Sequence, residues 1–251
     1  MKFGFVVPVY RHGSVLARLL ESLAIYSFPV IVVDDGNDEA ERHLIEDAVS
    51  KFNFAYLVRL EKNSGKGGAF FAGVRKALEL DLTHLLQIDA DGQHDSKRCG
   101  FFFEQAKVFP DAVICGYPEY DETVPNIRKN GREFSNRWAR FVSWDYSIKD
   151  VLCGFRLYPL DGLSKLLKIQ FLMNMRMGFD VDVLVRLAWK GIKIISFPVA
   201  VTYPEDGVSN FRMVRDNIGI SATFTKLCIG MIFRIPMLTF RLIKRRIKGD
   251  K

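Results

Sequence analysis

The sequence predicts an α/β fold built on a doubly wound, mostly parallel sheet, on two observations. Apolar, β-rich runs alternate with stretches of helical period from Phe3 to Tyr117, as in parallel strands joined by crossover helices. Successive strands also end in polar groups, and an open parallel sheet gathers its ligands beyond the carboxyl ends of its strands.

The elements follow in order. "KFGFVVPVY" reads as a buried strand, and Val15, Leu16, Leu19, Leu20 and Leu23 then recur at helical spacing. "PVIVVDD" is a second strand, followed by a polar helix from about Asp38 to Lys51. "FAYLVRL" is a third, and "GKGGAFFAGVRKALEL" opens on glycines and becomes helical. "THLLQIDAD" is a fourth strand, Ser96–Val108 a helix, and "DAVICGY" a fifth strand. Beyond Tyr117 the alternation loosens: Pro118–Asn126 reads as a loop and Arg128–Trp144 as an aromatic, basic helix. "DVLCGFRLYP" reads as a strand, Phe179–Lys190 as a helix and "IKIISFPVAVTY" as a strand. No Pro/Gly/Ser linker divides these elements, so one domain is expected over 1–217, with a basic amphipathic segment over 218–251.

With 251 residues, 49% of them hydrophobic, the chain can bury a large core, and disorder is not expected. Met1-Lys2 runs straight into "FGFVVPVY", which is too short for a signal sequence. The scattered Cys99, Cys115, Cys153 and Cys228 read as reduced thiols of a cytosolic protein. From Val208 to Lys251 there are ten Lys/Arg and two acids, a net +8 in a chain of net +7, so the remainder is near neutral. A basic end on a neutral body implies an anionic partner surface. The segment "IGISATFTKLCIGMIFRIPMLTFRLIKRRIKGDK" is interrupted by Lys226, Arg234 and Pro236 and holds no clean spanning run. It reads as an interfacial segment beside anionic lipid, the alternative being a core-packed helix with a solvated basic tail.

The strand ends carry Pro8-Val9-Tyr10, Asp34-Asp35-Gly36, Asn63-Ser64-Gly65-Lys66-Gly67-Gly68 and Asp89-Ala90-Asp91. Carboxylates at i and i+2 leaving a strand point to one side and can approach one hard cation. Mg²⁺ or Mn²⁺ takes one or two carboxylates and fills its shell with phosphate oxygens and water, so Asp89 and Asp91 suit a diphosphate-holding metal, with Gln93 as a further oxygen donor. His94 reads as a solvated loop histidine. The glycine turn lacks the Lys-Ser/Thr ending of a Walker loop and the third glycine of a dinucleotide fingerprint, but a Gly-rich turn with Lys66 opening a helix suits an anionic ligand.

Taken together, "VVPVY", "VVDDG", "NSGKGGAFFAG", "IDADGQH" and "DVLCGFRLYP" resemble, in order, the motifs of family 2 glycosyltransferases of GT-A fold, most similar to the dolichol-phosphate mannose synthase-like branch. The resemblance implies an inverting transfer from a UDP- or GDP-linked sugar. Pro8 and Tyr10 would flank the base and Asp35 would hydrogen-bond it. Asp89, with Ala90 between the pair, would contact ribose or sugar. Asp91 would bind the metal, with Gln93 as a possible second ligand. Lys66 and Gly67 fall in the same nucleotide-sugar set, with Arg128 on the diphosphate. Arg156 matches a family motif, its alternative being a salt bridge to Asp150. Asp182 stands where relatives carry an acid at the start of a helix. It is favoured over Asp180 as base or acceptor contact, the alternative being an i,i+4 pair with Arg186 worth only about 0.3–0.5 kcal/mol. Relatives acting on polyprenyl phosphate carry a basic clamp where this chain has "YPEDGVSNFR", which leaves a lipid or glycan hydroxyl open as acceptor beside a polyprenyl phosphate.

The expected location is the inner membrane face, peripherally attached. Two other readings compete: a sugar-phosphate nucleotidyltransferase, which should open with a "GxGTR"-like loop that "PVYRHG" is not, and a non-catalytic binding module, against which the intact acids speak. No nucleic-acid recognition motif is present.

Overall fold

The computed structural model describes residues 1–92, 94–119, 126–200 and 213–248, without the side chains of 126–129, 213–215 and 245–248. In chain order the elements are β1 (Phe3–Val9), α1 (Gly13–Leu23), β2 (Val30–Asp34), α2 (Glu39–Ser50), β3 (Ala55–Arg59), α3 (Lys66–Glu79) and β4 (His84–Gln87). There follow α4 (Cys99–Val108), β5 (Val113–Glu119), α5 (Asn126–Ser143), β6 (Arg156–Pro159), α6 (Leu160–Leu167), α7 (Phe179–Trp189), β7 (Ile194–Ala200), α8 (Met213–Ile232) and α9 (Ile235–Lys248).

The strands form one sheet in the order β3-β2-β1-β4-β6-β5-β7. Its central strands are apolar on both faces because helices cover both. Val6, Ile31 and Val33 face a layer made by α3, α5, α6, α7 and α8. Phe5, Val7, Val9, Val30 and Val32 face α1, α2 and α4. The expected doubly wound sheet is therefore present, with one difference: β6 runs antiparallel to both β4 and β5.

That strand is also shorter than the apolar run suggested. The carboxylate of Asp150 accepts the N–H groups of Leu152 (2.9 Å) and Cys153 (2.6 Å), which folds 150–153 into a turn. Pairing begins only at Arg156, opposite Gln87 and Cys115.

The C-terminal segment is two helices, and the expected boundary at 217/218 falls inside α8. Phe224, Leu227 and Met231 of α8 and Leu238 of α9 join the core. Among the described residues no single helix is long and apolar enough to cross a membrane. The pair Asp216–Ile232 and Ile235–Lys244 passes together by length and composition but is bent by 72°. The bend is pinned to the end of α7: Arg234 lies 4.5 Å over the Trp189 ring, and Arg241 Nη1 donates to Ala188 O at 3.1 Å.

Candidate active site

β4 hands the chain to the rim at Ile88, whose N–H donates to Val6 O (3.1 Å), and the chain then turns through Ala90 and Asp91. Ala90 is buried in the core, so its side chain anchors the turn. With Ala90 turned inward, Asp89 is left at the rim, its side chain 27% exposed. Asp89 and Asp91 both act electrostatically on His94, which follows them on the same turn.

Lys66, the first residue of α3, enters this cluster. Its Nζ lies 2.9 Å from both oxygens of Asp89 and 3.0 Å from Asp180 Oδ2. Burial alone would lower its pKa, but Asp180 and then Asp89 more than reverse this and raise it above the ordinary lysine value. Burial would likewise raise Asp89, and Lys66 turns that into a net lowering. The roof of the pair is Gly154: a Cβ there would strike Lys66 Nζ and come within 3.0 Å of Asp89 Oδ2 and Gln87 Nε2. Only glycine leaves room for the bridge.

Asp180 is held from beneath. Its Oδ1 faces Gln87 Nε2 (3.4 Å), and its backbone carbonyl accepts from Arg156 Nη1 (2.7 Å). Arg156 is fully buried, and its Nη2 donates to Val151 O at 2.8 Å. Its expected alternative, a salt bridge to Asp150, is not formed: Arg156 opens β6 opposite Gln87, with its guanidinium turned to the Asp180 and Val151 carbonyls. It is a positioning residue for Asp180. Asp150 pairs instead with Arg132 of α5, Nη2 to Oδ1 at 3.0 Å. The Arg132 charge adds a little to the lowering of the His94 pKa.

Asp182 is also corrected. Its side chain is 3% exposed, paired with Arg186, and accepts the Asn174 N–H at 2.7 Å. Burial raises its pKa against those contacts. Its role is to fasten the segment before α7, and that segment seats the glycine turn. Gly67 N–H donates to Met175 O (2.9 Å), while Gly65, at φ +80°, leaves no room for a Cβ against Met175 O. Gly67 itself packs on α7, since a Cβ would lie 2.5 Å from the Phe179 ring, so it reads as a packing residue more than a phosphate contact.

At the end of β2, Asp35 accepts from Ser64 N–H (2.7 Å) and Asn63 Nδ2 (3.0 Å). Burial raises its pKa, opposed by the N–H groups of Ser64 and Gly65. It thus fixes the turn leading to Lys66, and Pro8 and Tyr10, both partly exposed, lie at the end of the adjacent strand β1. Gln93, the side chain of Arg128 and the "YPEDGVSNFR" stretch lie outside the described residues.

His94 is not a solvated loop residue. Its ring stacks on Phe155 (5.1 Å, 18°), and its Nδ1 is buried without a hydrogen-bond partner among the described residues. Burial lowers its pKa, opposed by Asp89 and Asp91. Among the described residues no group of three or more His, Cys, Asp or Glu assembles a closed metal cage. An ion that keeps water and phosphate oxygens needs only one or two carboxylates. Asp89 and Asp180 with one ammonium leave one negative charge, and Asp91 follows Asp89 on the same turn, so the chemistry of these residues is compatible with one divalent cation.

Residues 5–167 match the family described as "Glycosyl transferase family 2". The chain belongs to glycosyl transferase family 2. This family 2 glycosyltransferase is 24% identical to an undecaprenyl-phosphate mannosyltransferase of Micrococcus luteus, over 81% of this chain and 85% of that protein. It is 24% identical to a dolichyl-phosphate beta-glucosyltransferase of Trichomonas vaginalis, over 94% of this chain and 75% of that protein. Its fold matches glucosyl-3-phosphoglycerate synthase from Mycobacterium tuberculosis, solved with Mn²⁺, UDP-glucose and phosphoglyceric acid. The TM-score is 0.64 at 12% identity, covering 90% of this chain and 79% of that one. The architecture is GT-A, and the relatives place the enzyme with the dolichol-phosphate mannose synthase-like branch.

Sequence reasoning missed Gly154, Gln87 and Arg132. Gln87 carried a usable signal: an amide inside the apolar run "LLQI" must find buried partners.

Proposed function

We propose that the chain transfers a sugar from a UDP- or GDP-linked donor to the phosphate of a polyprenyl phosphate at a membrane surface, with inversion at the anomeric carbon. The observation that carries this is the Lys66 bridge between Asp89 and Asp180 at the carboxyl end of the sheet. Asp89 and Asp91 would hold Mg²⁺ or Mn²⁺, with Gln93 as a candidate third donor. Such an ion neutralises charge building on the leaving diphosphate. Lys66 supplies a second, fixed positive charge on the same side. Asp35, Pro8 and Tyr10 would receive the base. Arg132, which α5 holds against Asp150, is a candidate contact for an anionic acceptor.

The phosphate acceptor is favoured over a hydroxyl by the state of Asp180. A hydroxyl needs a general base, and Asp180, unlike the partly exposed Asp89, is buried between Lys66 and Gln87. A phosphate oxygen attacks without losing a proton. The two relatives named for polyprenyl-phosphate acceptors support the same choice. The basic amphipathic end, with Ile229, Ile232, Phe233 and Phe240 exposed, suits a bilayer surface.

The test is calorimetry with UDP and GDP, with and without Mn²⁺, followed by transfer of labelled sugar from UDP- and GDP-sugars into an organic-extractable lipid. One nucleotide should bind in a metal-dependent way, weakened at least tenfold by Asp91→Asn with thermal stability unchanged. Binding indifferent to chelator would remove the metal, and label that never reaches polyprenyl phosphate would remove the acceptor.

A further inference from the structure

α5 carries a feature that transfer chemistry does not need. Phe134 is 62% exposed, Trp138 36% and Phe141 51%, and the three rings form a ladder, 6.2 Å and 5.7 Å apart. The opposite face of the helix, through Ala139 and Val142, is buried in the core that also holds Phe224, Leu227 and Met231 of α8. The spacing 134, 138, 141 is one helical stripe, so core packing does not explain these rings: they point outward together.

We propose that this ladder is a second membrane contact, and that its occupant is an anionic phospholipid leaflet. The proposal rests on the reading that the acceptor is a membrane lipid. Three observations choose the leaflet over a second copy of the chain. The flank of the stripe is cationic: the single carboxylate of Glu133 is shared by Arg137 and Arg140, both at 3.2 Å. The exposed area is small. At about 150–250 Å² per whole aromatic side chain the ladder offers roughly 300 Å², against about 800 Å² per partner in a stable protein interface. Half-exposed Phe and Trp beside arginine is also the composition of a membrane–water interface.

α8, which packs against α5, carries exposed Ile218, Ile229 and Ile232, and α9 carries exposed Met237, Phe240, Leu242 and Ile243. The ladder adds to these a contact that does not depend on the chain terminus. The helix bearing it also bears Arg132, so one rigid element joins the lipid surface to that candidate acceptor contact.

The test uses the full chain with vesicles of phosphatidylglycerol and phosphatidylcholine, part of the latter dibrominated. Brominated lipid should quench wild-type tryptophan emission, and Trp138→Phe should lose most of that quenching while still co-sedimenting, since Trp144 and Trp189 are common to both proteins. Phe134→Ser with Phe141→Ser, both at exposed positions, should weaken vesicle partition about tenfold and leave nucleotide binding unchanged. Equal quenching in wild type and Trp138→Phe overturns the proposal, as does unchanged partition of the double variant. So does a wild-type dimer that the double variant converts to monomer without loss of vesicle binding. A chain that meets vesicles through α5 but binds no nucleotide would overturn the function and leave this contact standing.

Discussion

Lys66 Nζ lies 3.0 Å from Asp180 Oδ2 and so ties the first turn of α3 to the first turn of α7. A carboxylate suits the positive end of a helix and a lysine does not. Lys66 tolerates its position because Asp89 and Asp180 flank it.

Removing that cation leaves two carboxylates facing one another. Breaking a fully buried pair costs about 3–5 kcal/mol. Because the Lys66 side chain is 25% exposed, the expected loss for Lys66→Met is smaller, about 2–3 kcal/mol by chemical denaturation. The pH dependence gives the sign. In the wild type Asp89 is held low, so its contribution is present above the ordinary aspartate range and lost as pH falls through the lowered value. Without Lys66, burial holds the same carboxyl high, and acid stabilises the variant. The stability gap should therefore narrow between pH 7 and pH 4, and a gap constant with pH would contradict the bridge.

Asp180 and Asp182 should separate cleanly. Asp182→Asn breaks the Arg186 pair that fastens the segment ahead of α7, so it should lower the melting temperature, with catalysis falling only as far as folding does. Asp180→Asn keeps the side-chain volume at the rim and should lower kcat about tenfold with little change in melting, less than the roughly 10²–10⁴ lost with a general base. A thousandfold loss in kcat for Asp180→Asn would mean that a hydroxyl is the acceptor after all.

His84 gives a second pH window, far from the site. Burial lowers its pKa, opposed by the Pro110 carbonyl, which accepts from Nε2 at 2.8 Å. A histidine held neutral in the fold is protonated more readily when unfolded. Its contribution is complete above the ordinary value of about 6.5 and is lost as pH falls below it. Wild-type melting temperature should decline from pH 7 to pH 5, and His84→Gln should flatten that decline. An identical slope in the variant would exclude His84 as its source.

Much of the fold was legible because two-sided burial writes itself as continuous apolar runs, as in "VIVVD" of β2. The rim acids were legible because they interrupt those runs at strand ends. Direction was not: an apolar run reads the same parallel or antiparallel, so the reversal of β6 left no mark. Asp180 and Asp182 share one turn of α7, and choosing between them requires knowing that Arg186 points at Asp182 while α3 delivers Lys66 to Asp180. The burial of Arg156 was missed because a charge beside a motif suggests a ligand, although its neighbours Phe155 and Leu157 are both core residues.

The reversal of β6 has a consequence for how such an enzyme can diversify. Because β6 enters the sheet from the rim, the residues ahead of it, Asp150 to Phe155, roof the Lys66–Asp89 bridge, and their register is locked by Arg156 opposite Gln87. The whole excursion from Glu119 to Lys149, which includes α5, leaves from one clamped strand and returns to another. Among the described residues its polar link to Gly154 runs through two contacts, Arg132 with Asp150 and Asn136 Oδ1 accepting the Val151 N–H at 3.0 Å, so the rest of the α5 surface can change without moving Gly154. The rim that holds Lys66 and the outer face of α5 are thereby separately mutable stretches of one chain.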